Sequence, residues 1–113
     1  MEFMDKRHEA FYNDCLERGK CAGDCYREAL FYTLGLNEET RKHVDRLYDF
    51  RERGIRPEGL AEGWQTSGSL RVVRLAFNLY NGFCEDGYET EYTPYRLFNR
   101  DALLPWMLRA VMV

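Results

Sequence analysis

The most apolar stretch of the chain lies between Trp64 and Phe83, and its polar residues recur at helical spacing. Those polar positions fall at i, i+3, i+7 and i+10, which puts them on one side of a helix. They are Arg71, Arg74, Asn78 and Asn81. The positions between them are mostly apolar, and a helix that is apolar on most sides is normally buried on most sides. The pattern therefore predicts a central buried helix over about 69–81, with Thr66 or Ser67 as N-cap and Asn81-Gly82 as the stop.

Amphipathic patterns predict four further helices around the central one. Each of the first three ends at a glycine, which is typical of a helix C-terminus. The predicted spans are 4–18, 22–34, a third helix from the Asn37 cap to a stop at Gly54, and a last helix from Ala102 onward, capped by Asp101 or Asn99. The fold class expected is a mainly α, compact single domain over 1–113, a bundle of about five helices.

One segment after the central helix departs from the helical pattern. Asp86-Gly87 is a turn signal, and the run Tyr-Glu-Thr-Glu-Tyr that follows alternates polar and aromatic residues. A short β-hairpin near 83–92 is therefore an alternative for this segment, provided that it packs against helices.

The composition is that of one ordinary domain with a real core. The chain has 113 residues, of which 45% are hydrophobic, and its net charge is −3 with a sequence pI near 5.4. The acidic balance argues against direct nucleic-acid binding, which usually needs a basic excess. The N-terminal residues carry no apolar signal core, and no run approaches membrane-spanning length. We expect a cytoplasmic protein that does not enter membranes.

The start of the central helix is a candidate anion site for a small ligand or nucleotide. Three hydroxyl residues and two arginines gather there, and helix N-termini attract phosphate and carboxylate groups. The candidate residues are Thr66, Ser67, Ser69, Arg71 and Arg74. The structural alternative is an N-cap followed by an arginine stripe that is solvated or internally paired.

The acidic and aromatic segment after the central helix is a candidate partner-binding surface. Tyrosines interleaved with carboxylates suit a protein interface, or a decoy for a basic nucleic-acid groove. The candidate residues are Glu85, Asp86, Tyr88, Glu89, Glu91 and Tyr92. The alternative is an ordinary solvated turn, since charged runs on a surface are common.

No residue pattern indicates catalysis, a metal or a cofactor. The four cysteines, Cys15, Cys21, Cys25 and Cys84, have no C-x2-C pair, and neither histidine has a partner at ligand spacing. We therefore expect small buried thiols, no metal and no cofactor. Glu58 and Glu62 could pair as carboxylates on one turn, but Gly59 and Gly63 make that turn unreliable. The prediction is that the protein is not an enzyme.

Three segments resemble a group of small proteins of unknown function encoded on bacterial mobile elements and prophages. They are FYxDC in the first helix, CYREALFYTLGLNEETRKH across the second and third, and QTSGSLRVVRLAFNLYNG around the central helix. The resemblance implies an accessory protein that binds a host or phage protein, for instance as an inhibitor of a host defence nuclease. The alternatives are the small-ligand module at 66–74 and a homodimer, which the apolar end at Val113 suggests.

Overall fold

Helices form most of the computed structural model, which describes residues 1–93, 97 and 104–113. The α-helices are α1 (Lys6–Gly19), α2 (Cys25–Leu34), α3 (Glu38–Lys42), α4 (Val44–Leu47), α5 (Ser67–Asn81) and α6 (Leu104–Val111). Two 3-10 helices span Pro57–Ala61 and Glu89–Tyr92, and strands β1 (Tyr48–Asp49) and β2 (Gly54–Ile55) form an antiparallel pair. The Cα radius of gyration, 12.7 Å, is that of one compact domain of this length. The mainly α fold class is confirmed.

Helix α5 begins and ends close to where its sequence predicts. Thr66 is the N-cap, and its side chain accepts a hydrogen bond from the Ser69 N–H at 3.0 Å. The Ser69 hydroxyl accepts one in turn from the Thr66 N–H at 2.7 Å, which completes a capping box. Gly82 ends the helix with φ at 76°, a left-handed conformation that glycine adopts without a Cβ penalty.

The centre of the fold is a pair of helices and not a single helix. Helices α2 and α5 share the largest contact between elements of the described chain. Six consecutive residues of α2, Ala29–Leu34, are buried, so its C-terminal half meets other elements on every side. The buried stretch of α2 is shorter than the apolar stretch that predicted burial of α5. The sequence of α2 therefore predicted an amphipathic helix with one buried face. Because both helices are buried against each other, α5 is held in place beside the segment that follows it.

The predicted third helix is shorter than expected, because the chain turns into the strand pair. Helices α3 and α4 are separated at His43, and the helical conformation ends at Leu47 instead of near Gly54. The Asp49 carboxylate accepts hydrogen bonds from the N–H groups of Arg51 and Glu52, which fixes a turn in place of a further helical turn. The strands then pair with Tyr48 opposite Ile55.

The β-hairpin predicted near 83–92 does not form there. The chain turns at Asp86-Gly87 and continues as the 3-10 helix Glu89–Tyr92, while the strand pair lies between 48 and 55. The alternation of polar and aromatic residues predicted a strand here, and that prediction was wrong. The aromatic residues of this segment pack against α5 and have no partner strand. The predicted start of the last helix, with its Asp101 or Asn99 cap, lies outside the described residues.

The buried side chains of His8, Thr33 and Thr40 are hydrogen-bonded inside the core. The His8 ring accepts a hydrogen bond from the Met4 N–H at 3.0 Å and donates from Nε2 to the Tyr32 carbonyl at 2.8 Å, which requires the neutral ring. Burial lowers the pKa of His8 in agreement with this pattern. Thr33 and Thr40 donate their hydroxyls to the Ala29 and Leu34 carbonyls. None of the described helices has the length and hydropathy needed to cross a membrane.

Candidate functional site

A groove of about 720 Å³ lies beside the first half and the middle of α5, where Leu70 and Arg74 line it. One wall comes from the 3-10 helix Pro57–Ala61, the floor from Leu70 and Arg74 of α5, and the other wall from residues 83–88. This volume falls within the roughly 300–1,000 Å³ typical of ligand-binding clefts. The groove joins elements that are far apart in the sequence, and it brings part of each of the two predicted sites together.

An ion pair at the bottom of the groove links the two predicted sites. Arg74 donates from Nε to Glu85 Oε1 at 2.7 Å, and the Tyr92 hydroxyl donates to the same oxygen at 2.8 Å. The Arg74 and Glu85 side chains are only 14% and 20% exposed. We call Arg74, Glu85 and Tyr92 the clasp, because their bonds hold the acidic segment against α5.

The electrostatics of the clasp keep its arginine charged and its tyrosine protonated. Burial lowers the pKa of Arg74, but the hydrogen bond and charge of Glu85 outweigh that effect and raise it. Burial, followed by the hydrogen bond and charge of Glu85, raises the pKa of Tyr92. The hydrogen-bond donors of the clasp are therefore stable at neutral pH.

Contacts at the end of α5 direct the following segment toward the groove. Asn78 donates from its side-chain amide to the Phe83 carbonyl at 3.1 Å, and Asn81 accepts from the Phe83 N–H at 3.1 Å. Phe83 packs edge-on against Phe77, with ring centroids 5.7 Å apart. These contacts turn the chain back along the helix, so residues 83–88 form a wall.

Residues of the predicted anion site are mostly engaged in the helix itself. The Thr66 and Ser69 hydroxyls form the capping box, and Ser69 is fully buried. Ser67 is exposed, Arg71 is half-buried, and Arg74 belongs to the clasp. The small-ligand function stays a prediction, and a thermal-shift screen with nucleotides and phosphorylated metabolites tests it through Arg71→Ala and Arg74→Ala.

Residues of the predicted partner surface divide into two groups. Glu85 and Tyr92 belong to the clasp, and Glu91 is half-buried. Asp86, Tyr88 and Glu89 are exposed, with Tyr88 at 53%. The Glu89 carboxylate accepts a hydrogen bond from the Gly87 N–H at 3.2 Å, and such backbone hydrogen bonds lower its pKa. Only the exposed group remains accessible to a partner.

Two groove residues were not assigned to a site from the sequence. Glu58 was considered only as a partner of Glu62, and Leu60 was assigned no role in a site. The structure instead pairs Glu62 with Arg46 at 2.5 Å, and the Arg46 and Trp64 hydrogen bonds lower the pKa of Glu62 to about 2. No local signal links Glu58 to Asp86, because only the tertiary fold brings their segments to one groove.

The cysteines are all free thiols, and two of them are not buried. Cys15 and Cys21 lie in the core as expected, whereas Cys25 and Cys84 are exposed, so the expectation of buried thiols was wrong for those two. Cys25 occupies the first turn of α2, outside its buried half, and Cys84 lines the groove. Desolvation and the neighbouring acids, Glu89, Asp86 and Glu85, raise the pKa of Cys84, which makes it a weak nucleophile.

Neither histidine stands near an arrangement typical of a metal or catalytic site. His8 is in the core, and His43 stacks on Trp64 with ring centroids 4.1 Å apart. Over the described residues, no group of three His, Cys, Asp or Glu side chains could hold a metal ion.

A second surface, on α6, carries exposed apolar side chains. Leu108, Val111 and Met112 are exposed, at spacings of i, i+3 and i+4, while Met107 and Ala110 face the core. This stripe is where a homodimer contact would form, and the homodimer stays a prediction. Light scattering at micromolar concentration tests it.

Comparison with known proteins gives a family without a function. Neither the curated proteins nor the solved structures include a match to the chain. One family model covers residues 1–112, which is nearly the whole sequence. The chain therefore belongs to DUF6075, a family of unknown function.

Proposed function

We propose that the protein is a non-enzymatic binding protein whose groove rim engages a partner protein. The groove rim consists of Glu58, Asp86 and Tyr88. One observation carries the proposal: neither rim carboxylate forms an ion pair with another described residue, whereas the Arg74–Glu85 pair beneath them is closed. Exposed carboxylates that form no ion pair within the fold are available for recognition.

The rim combines an exposed tyrosine with carboxylates that have no ion-pair partner among the described residues. An exposed tyrosine offers a large, rigid contact area with a polar tip, and aromatic residues are enriched at interface hot spots. Uncompensated carboxylates add orientation and a faster encounter with a positively charged partner.

The biological setting we propose is that of a bacterial mobile element or phage. A host or phage protein is then the partner, and inhibition of a host defence nuclease is the concrete form. The nucleic-acid-binding surface of a nuclease is basic, so an acidic rim with an aromatic side chain can compete for it. Inhibition of this kind needs no catalytic residue and no cofactor.

A paired affinity capture from host lysate tests the proposal. The bait is the wild-type chain, and the test variant is Asp86→Lys, which reverses one rim charge at an exposed position. Glu52→Lys is the matched control, because Glu52 is an exposed acid in the turn between β1 and β2. We expect a specific protein that wild type and Glu52→Lys both retain and Asp86→Lys loses. Equal recovery by all three baits, or no specific protein, would contradict the proposal.

A further inference from the structure

We propose that the occupant of the groove is a cationic amphipathic segment of the partner. One bulky apolar side chain inserts between the two walls, and flanking Lys or Arg residues meet the rim carboxylates. This inference rests on the proposed function and adds the chemistry of the partner at the same groove. It follows from three features: the apolar interior, the placement of charge, and the open face of Tyr88.

The interior of the groove has an apolar patch beside the Arg74–Glu85 pair. Leu60 and Leu70 line it from the 3-10 helix and from α5, and Phe83 closes the other wall. Leu60 is buried, while Leu70 and Phe83 are half-buried, so part of their apolar surface faces the groove. Phe83 is packed against Phe77 and Tyr92, with centroids 5.7 Å and 6.4 Å away. An apolar side chain that covers this surface gains roughly 25 cal/mol per Å² removed from water.

The charges that line the groove select a cation over an anion. Arg74 is the cation at the floor, and its Nε is committed to Glu85. Glu58 and Asp86 extend from different walls, and neither pairs with a described residue. Two like charges at one cleft repel each other, and a Lys or Arg between them relieves that repulsion. An anionic occupant would instead be repelled by both carboxylates.

Tyr88 supplies a third point of recognition. The Arg74 guanidinium lies 5.8 Å from its ring centroid, a distance typical of a cation–π contact. The residue is 53% exposed, so ring surface remains open to solvent. A guest guanidinium can stack on that open surface, which favours Arg over Lys at this point of the segment.

Fluorescence polarisation with a labelled peptide of sequence AKRWRKA tests the inference. We expect wild-type binding that weakens with added salt, since exposed charges are screened. Glu58→Gln and Asp86→Asn should each weaken binding on the order of threefold to tenfold, in line with exposed or partly exposed charge pairs. Glu52→Gln should change it by less than about twofold, because Glu52 lies outside the groove. All three substitutions are isosteric and lie at exposed positions, and circular dichroism melts check that the fold persists.

Two further peptides separate the apolar anchor from the charge. AKRGRKA lacks the apolar anchor. Its affinity should be about one tenth of that of AKRWRKA or lower, since a large aromatic side chain carries much of the binding energy. AQQWQQA removes the charge and should lose most of its affinity. Equal binding of all three peptides, or equal losses in Glu58→Gln and Glu52→Gln, would overturn the inference. If lysate capture depends on Asp86 while AKRWRKA does not bind, the cationic occupant is wrong and the binding function stands.

Discussion

The two ends of helix α5 use polar residues in opposite ways. At its start, Thr66 and Ser69 satisfy each other within one turn. From its middle onward, Arg74 and Asn78 reach forward to Glu85 and Phe83, in a segment outside the helix. The first arrangement closes on itself, and the second builds a wall with an exposed rim.

This difference separates residues that build the helix from residues that are free to bind. Hydroxyls engaged in a capping box have little capacity left for a ligand. The clasp, by contrast, uses two of the polar side chains of the acidic segment and leaves Asp86 and Tyr88 outside. We therefore expect the binding surface beside the middle of α5, where Arg74 holds the acidic segment, and not at the start of the helix. Variants along the helix test this difference.

The largest effect should come from the middle of α5, on which both ends depend. Leu75 is only 2% exposed, so Leu75→Ala leaves a cavity and should cost roughly 2–5 kcal/mol of unfolding free energy. Urea melts measure the loss, and Leu79→Ala at a half-buried position is the matched control with a smaller loss. A loss below about 1 kcal/mol for Leu75→Ala would contradict its central burial.

A smaller effect should come from the clasp. Arg74→Ala leaves the Glu85 carboxylate partly buried without its cation, and it should cost about 1–3 kcal/mol. The exposed Arg51 provides the control, since Arg51→Ala should stay within about 0.5 kcal/mol. A double-mutant cycle with Glu85→Ala should give a coupling of about 0.5–3 kcal/mol. A coupling near zero would mean that the clasp does not hold the wall.

The capping box at the start of the helix should matter less. Thr66→Ala removes one hydrogen bond to an otherwise unpaired N–H group and should cost about 1 kcal/mol. Ser67→Ala, at the neighbouring exposed position, should be close to neutral in the same denaturant melts. If Ser67→Ala proved as costly as Thr66→Ala, the assignment of Thr66 as N-cap would be wrong.

The smallest effect should come from the exposed part of the acidic segment. Glu89→Ala removes an exposed side chain that accepts a hydrogen bond from the nearby Gly87 N–H, so thermal melts should coincide with those of wild type. Glu85→Ala, in the same segment, should lower the melting temperature because it opens the clasp. A strong loss in Glu89→Ala would make the exposed acids structural and remove the basis of a partner surface there.

Local features of the fold could be predicted from the sequence, and long-range ones could not. The Thr66 cap and the Asn81-Gly82 stop depend on residues within one turn, so the sequence pattern predicted both. The strand pair at 48–55 required knowing that the Asp49 side chain would fix a turn there. The burial of the C-terminal half of α2 on all sides depended on its packing against α5.

The same difference between local and long-range features applies to the candidate site. The sequence predicted the acidic segment as a surface and named internal pairing as an alternative for the arginine stripe. It could not assign Glu85 and Tyr92 to a clasp, because each needed Arg74 as a partner in space. Glu58 was missed for the same reason. It lies in the 3-10 helix that precedes α5, whereas the acidic segment follows α5, and only the fold brings both to one groove.

The central claim is that binding takes place at the groove rim and not at the start of α5. A titration of ¹⁵N-labelled protein with AKRWRKA, followed through its backbone amide resonances, tests that claim most directly. The account predicts concentration-dependent shifts at Glu58, Asp86 and Tyr88, with the Thr66 and Ser67 amides unchanged. Shifts concentrated at Thr66 and Ser67, or none at the rim, would contradict it.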